Sequence, residues 1–174
     1  MIRHASCLLI VAALAALVSA QGSKPGLTAS QQQQLFQKNW AMIQMLVDSS
    51  LEISSQSGDY IHRSRSYRKV IMEFQKELVT SANGTDARRV AEIGKHLDTV
   101  MRQGLAPSLQ AAQRQIGPDG TGRKDLEEIR DYTLELVEWL QDQAKNKWAD
   151  TPEIREVIQA LDLTKKELTT SVGR

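Results

Sequence analysis

The chain has 174 residues, with 22 Lys and Arg against 21 Asp and Glu and a formal net charge of +1. That balance argues against a nucleic-acid-binding protein, which draws much of its affinity from a clear basic excess placed against phosphate. A single cysteine, Cys7, excludes an internal disulfide and any site that needs two thiolates.

The first element is an export signal. Met1-Ile2-Arg3-His4 is a short basic start, and Ala5 to Val18 is an uncharged, mostly apolar run. A membrane-spanning helix needs about 17–25 apolar residues, so this run fits a cleaved signal peptide better than an anchor. Val18 and Ala20 put slim side chains at the minus-three and minus-one positions, which predicts cleavage between Ala20 and Gln21. Gln21 in place of a cysteine excludes a lipoprotein signal. Cleavage removes both Arg3 and Cys7, so the mature chain has balanced charge, no thiol nucleophile and no Cys-ligated zinc. Its stability must come from its core alone. The domain reading is a signal peptide over 1–20, a flexible linker over 21–28 and one helical bundle domain over 29–174.

Helical periodicity fills the rest of the chain. A first helix runs from Ala29 or Ser30 to about Ser54, capped by Thr28 or Ser30, with Leu35, Asn39, Met42, Ile43, Leu46 and Ile53 near one stripe. Ser54 to Asp59 breaks it. A second helix covers about His62 to Ala82, with Tyr67, Val70, Ile71, Phe74 and Leu78 inward. Asn83-Gly84-Thr85 is a turn, and Thr85 is a candidate cap for a third helix from Asp86. The third stripe, from Val90 through Leu97, Met101 and Leu109 to Ile116, keeps its phase across Gly104 and Pro107. That predicts one kinked helix rather than two unrelated ones. After the loop Gly117 to Gly122, a fourth helix to Trp148 turns Leu126, Ile129, Thr133, Leu136, Val137, Leu140 and Ala144 inward. Thr151-Pro152-Glu153 starts a fifth, with Ile154, Val157, Ile158, Leu161 and Leu168 buried. Each helix is apolar on one side only. The expected fold is therefore all-α, an up-and-down bundle of four main helices plus a C-terminal fifth, packed antiparallel through short loops.

Few residues have the pattern of a chemical site. Glu92 and His96 share a helix face, but a metal needs further ligands at suitable spacing, so an ordinary i,i+4 pair is expected. There is no Gly-x-Ser-x-Gly elbow, no phosphate loop after a strand, and no Glu-x-x-His pair of the di-iron type. Trp40, Trp139 and Trp148 read as core or core-edge residues. Asn83-Gly84-Thr85 also matches an N-glycosylation acceptor. The cluster that stands out is His62, Arg63, Arg65, Arg68 and Lys69, at the start of the second helix beside Tyr60 and Tyr67. Positive charge at a helix N-terminus opposes the dipole, so the cluster implies either an anionic partner or acids on a neighbouring helix.

Two resemblances follow. Leu27-Thr28-x-x-Gln31 before a Gln-rich helix resembles the Leu-Thr-x-x-Gln segment of the Spy and CpxP family of periplasmic stress proteins. That resemblance implies a chaperone or stress adaptor, although Leu163-Thr164-Lys165-Lys166-Glu167 ends in Glu where the family's second copy has Gln. Leu46 to Leu51 and the segment Ala87 to Ala112 look like a group of uncharacterised exported helical proteins of bacterial envelopes, which implies bacterial export and carries no site residues. The sequence therefore points to an exported, non-enzymatic binding or structural protein of the cell envelope, in the periplasm or secreted. It predicts no cofactor, no metal, no nucleic acid and no integral span after cleavage. The expected partner is another protein or an anionic envelope component, met at His62, Arg63, Arg65, Arg68 and Lys69. The alternatives are the chaperone and, further off, a metal-binding bundle. Periodicity leaves the oligomeric state open.

Overall fold

The computed structural model describes residues 28–56, 58–84, 86–117 and 120–171. The signal reading, with Ala20 and Gln21, lies outside the described residues, as does most of the proposed linker. Among the described residues every regular element is helical: α1 (Ala29–Ser55), α2 (Tyr60–Asn83), α3 (Ala87–Val100), a π turn (Met101–Leu105), α4 (Ala106–Ile116), α5 (Arg123–Trp148) and α6 (Pro152–Ser171). No helix among them is long and apolar enough to cross a membrane. The chain divides into an N-terminal unit ending at Ser57, which holds α1, and a second unit, Gly58–Arg174.

In the first unit, α1 buries Leu46 and Ile53, two members of the expected stripe. Trp40 departs from expectation. It is 52 % exposed and stacks on Phe36, with centroids 6.4 Å apart and rings inclined by 14°. The physical reason is phase: at 100° per residue Trp40 sits about 120° around the helix from Leu46.

In the second unit the inward stripes meet in one core. Phe74, Ile71 and Leu78 of α2 are fully buried, as are Ile93 and Leu97 of α3, Met101 and Leu105 of the π turn, Leu109 of α4, Leu126 and Ile129 of α5, and Leu161 of α6. Val100, Ile116 and Ile158, expected inward, lie only half-buried at the edges. Truncating a fully buried Phe such as Phe74 to Ala costs about 3–5 kcal/mol.

Helical backbone continues without a break from Ala87 to Ile116. Pro107 has no N–H and its ring crowds the carbonyl four residues back. The chain answers with the π turn: Ala106 N–H reaches the Met101 carbonyl, five residues back, and Ser108 Oγ donates to the Gly104 carbonyl at 2.8 Å. Val100, Met101, Leu105 and Ala106 all keep right-handed helical dihedrals. Two glycines on this rod allow close packing. A Cβ on Gly94 would lie 2.7 Å from Val157 Cγ1 of α6, and one on Gly104 only 2.4 Å from Tyr67 Cε1 of α2.

The residue pairs fix the directions of the helices. Glu77 with Arg89 and Tyr67 with Gly104 make α2 antiparallel to the rod that follows it. Glu138 with Lys165 at 2.7 Å, and Gln141 Nε2 donating to Asp162 at 2.7 Å, make α5 antiparallel to α6. Two further neighbouring pairs are parallel. Lys95 with Glu156, Asp98 with Thr164, and Arg102 with Glu167 climb together along α3, the π turn and α6. Arg65 with Asp125, Gln75 with Tyr132, and Ala82 with Lys147 climb together along α2 and α5. The six-residue connection Gly117 to Gly122 permits this, since such a segment reaches about 20 Å. It closes α4 with Gly117 at φ +76° and opens α5 with Gly122 at φ +101°, a region that favours glycine.

Candidate functional site

The expected basic cluster lies at the start of α2, which begins at Tyr60 rather than His62. Asp59 caps it, its carboxylate accepting from the His62 N–H at 2.9 Å. That acid sits at the positive end of the dipole and offsets the conflict inferred from the cations alone. The helix then separates the five residues. Arg63 lies over the Tyr60 ring, its guanidinium carbon 5.3 Å from the centroid. Arg68 turns toward α5 and covers Tyr132 at 5.0 Å, its Nε buried without a hydrogen bond. His62, Arg65 and Lys69 are exposed along the outer face.

Arg65 makes an ion pair with Asp125 in the first turn of α5. Beside it, Arg65, Arg68 and Lys69 share a groove of about 400 Å³ with Met72, Asp125, Glu128 and Ile129. The outer face continues through Met72, Lys76 and Val79, spaced three and four residues apart and all exposed. This gives α2 a face that is cationic at His62, Arg65 and Lys69 and mixed cationic and apolar from Met72 to Val79, flanked on the α5 side by carboxylates. Lys76 also meets Glu73 of its own helix at 2.6 Å.

Sequence reasoning missed Tyr132 and Gln75, whose side chains hydrogen-bond across α2 and α5 and back the Arg68 stack. Tyr132 is three residues after Ile129 and four before Leu136, so its place on the flank of the α5 stripe was readable. Its contact with Arg68 was not. Burial pushes the Tyr132 hydroxyl above its ordinary range, against the pull of Arg68 and Lys76.

The Glu92–His96 pair is part of a larger group. Arg89, with a side chain only 11 % exposed, reaches Glu77 at 3.7 Å and Glu92 at 3.6 Å, and Arg88 reaches Glu92 at 3.6 Å. Burial holds the His96 imidazole below its ordinary range; Glu92 opposes that shift and Arg89 adds to it. Among the described residues no three His, Cys, Asp or Glu side chains are grouped to hold a metal ion. Comparison with known proteins finds no matching family model, no matching curated protein and no matching solved structure.

Proposed function

We propose that this is an exported, non-enzymatic binding protein of the cell envelope, which meets an acidic protein partner through the outer face of α2. The observation that carries the reading is the make-up of that face. His62, Arg65, Lys69 and Lys76 run along it with exposed Met72 and Val79, and its carboxylates, Asp125 at Arg65 and Glu73 at Lys76, leave the row partly neutralised. Such a face supplies both steering charge and apolar contact to a complementary surface. The groove at Arg65, Lys69 and Met72 is shallow and mixed in charge, which suits a protein surface better than a small anion. Arg63 and Arg68, spent on Tyr60 and Tyr132, are positioning residues for the end of the helix in this reading.

The chain reverses direction from each long helical rod to the next, which supports an up-and-down bundle for Gly58–Arg174, with the parallel neighbours described above. Export rests on the Met1–Ala20 sequence pattern, and kinship with exported bacterial helical proteins rests on the Ala87–Ala112 segment.

The test is capture from envelope extract, comparing the wild-type chain with a Lys69→Glu/Lys76→Glu variant at matched helicity. A partner identified with the wild type and lost with the variant supports the reading; unchanged capture refutes it. Equal loss of binding to phosphatidylglycerol vesicles would reassign the face to an anionic lipid surface. Suppression of aggregation of an unfolded client, insensitive to the two reversals, would favour the stress chaperone instead.

A further inference from the structure

The exposed apolar side chains of α1 are not scattered. Phe36, Trp40, Val47 and Leu51 are 55 %, 52 %, 40 % and 66 % exposed. At 100° per residue all four fall within an arc of about 60°, over roughly 22 Å of helix. Gln33, Gln44 and Ser54 border the row on the same face, with no charged residue in it. Isolated exposed apolar residues need no explanation, but a continuous stripe on a Gln-rich helix does.

We infer that this stripe is the interface between two copies of the chain, paired antiparallel about a two-fold axis near Ile43 and Gln44. The spacing carries the argument. Steps of four, seven and four residues read the same in both directions, as an isologous contact requires. Antiparallel pairing then sets Phe36 against Leu51 and Trp40 against Val47, each large ring beside a smaller aliphatic group. Parallel pairing sets Trp40 against Trp40 and Val47 against Val47, which leaves one end overfilled and the other loose. An uncharged row also brings no like charges together across the axis.

The area is sufficient for a weak dimer. A wholly buried aromatic covers about 150–250 Å², so the four partly exposed side chains leave roughly 400 Å² of apolar surface in water. Two copies with their flanking Gln and Ser bury on the order of 1,000 Å², the lower limit for a specific interface. At that size the dimer is weak and is lost on dilution. It uses a different helix from the α2 face, so either proposal stands without the other.

The experiment has two arms on the full chain. In sedimentation velocity the wild type gains a concentration-dependent dimer, and Phe36→Ser/Trp40→Ser abolishes it while Leu163→Ser, an exposed residue of α6, does not. In a Cys7→Ser background, Gln44→Cys forms a disulfide-linked dimer on mild oxidation, whereas Phe36→Cys and Leu51→Cys cross-link only when mixed. A monomeric wild type at all concentrations overturns the proposal, as does a dimer untouched by Phe36→Ser/Trp40→Ser. Self-cross-linking of Phe36→Cys and Leu51→Cys alone would also overturn it, because it means a parallel pair. If Phe36→Ser/Trp40→Ser loses helicity, the single-cysteine pattern still decides.

Discussion

Gly104→Ala is the most informative single substitution, because two opposing effects of known size meet there. Alanine is favoured over glycine in a helix by about 1 kcal/mol, so on propensity alone the change stabilises. The new Cβ would lie 2.4 Å from Cε1, 2.6 Å from Cζ and 3.0 Å from Cδ1 of Tyr67, against an ordinary contact of 3.4–4 Å. Tyr67 is a rigid ring only 9 % exposed, packed on α2, so it cannot swing into solvent without opening the core. Overpacking of this kind costs about 1–3 kcal/mol, and the net expectation is a loss of up to about 2 kcal/mol. Urea unfolding followed by helical circular dichroism reads this as a lower midpoint at constant slope. The decisive control is the same change in a Tyr67→Leu background. There the ring is gone, propensity prevails, and Gly104→Ala should stabilise the chain by up to about 1 kcal/mol, read as a higher midpoint. A midpoint that rises in the wild-type background, or falls equally in both, refutes the packing argument.

Other substitutions probe separate links. Asp59→Ala removes the cap of α2 and should cost about 1 kcal/mol by urea titration, while Asp59→Asn retains most of it. His96→Gln should flatten the dependence of stability on pH. The folded imidazole holds its proton less well than the unfolded one, whose ordinary value is 6.5, so the unfolded chain takes up more protons below that value. Stability is thus complete above about pH 6.5 and is lost as pH falls through the window below it. Urea midpoints at pH 7.5 and 5.5 should lie closer together in the variant, and an unchanged gap would count against His96. Arg65 and Asp125 are both well exposed, so their double-mutant cycle should return a coupling of only about 0.2–1 kcal/mol that shrinks with salt.

The helical class and most of the core could be read from the sequence because period 3.6 marks the face a helix turns inward. Tyr67, Val70, Ile71, Phe74 and Leu78 are all buried, as are the seven residues expected inward on the fourth helix, Leu126 to Ala144. The ends were less legible. Asp59 caps a helix that starts two residues before the expected His62, since an acid inside a Ser- and Gly-containing breaker reads equally well as turn or cap. Asp86 is the cap of α3, accepting from the Arg89 N–H at 3.1 Å, although Thr85 is a plausible cap by residue type. Continuity across Gly104 and Pro107 followed from the apolar stripe, in which the π turn shows only as drift: Leu97, Met101, Leu105 and Leu109 are each four apart, turning the stripe by about 120° at 100° per residue. For the basic cluster, the sequence marked the residues and missed the partition, because Tyr132 and Asp125 reach it from a helix whose neighbour no periodicity names.

Short connections impose only that consecutive helices reverse direction; they do not decide which helices touch. The parallel α2–α5 pair decides the chemistry of the basic end. Because α5 starts at the same end as α2, its first turn brings Asp125 to Arg65 and Glu128 to the groove. An antiparallel α5 would instead present its last turn, with Lys145 and Lys147, to the same cations. In the observed order Lys147 reaches the Ala82 carbonyl at 3.3 Å at the far end of α2, where a cation favours the dipole. Packing choices made in the core support the same order. Gly94 admits Val157, and the fully buried Thr164 hydroxyl donates to Asp98, a bond available only when α6 lies beside α3 in this register. Away from Asp98 the hydroxyl keeps the Ala160 carbonyl of its own helix at 3.3 Å, so Thr164 favours this register by the added cross-helix bond rather than by leaving a group unsatisfied in others. The partly neutralised character of the α2 face is therefore set by the order of packing of the whole unit.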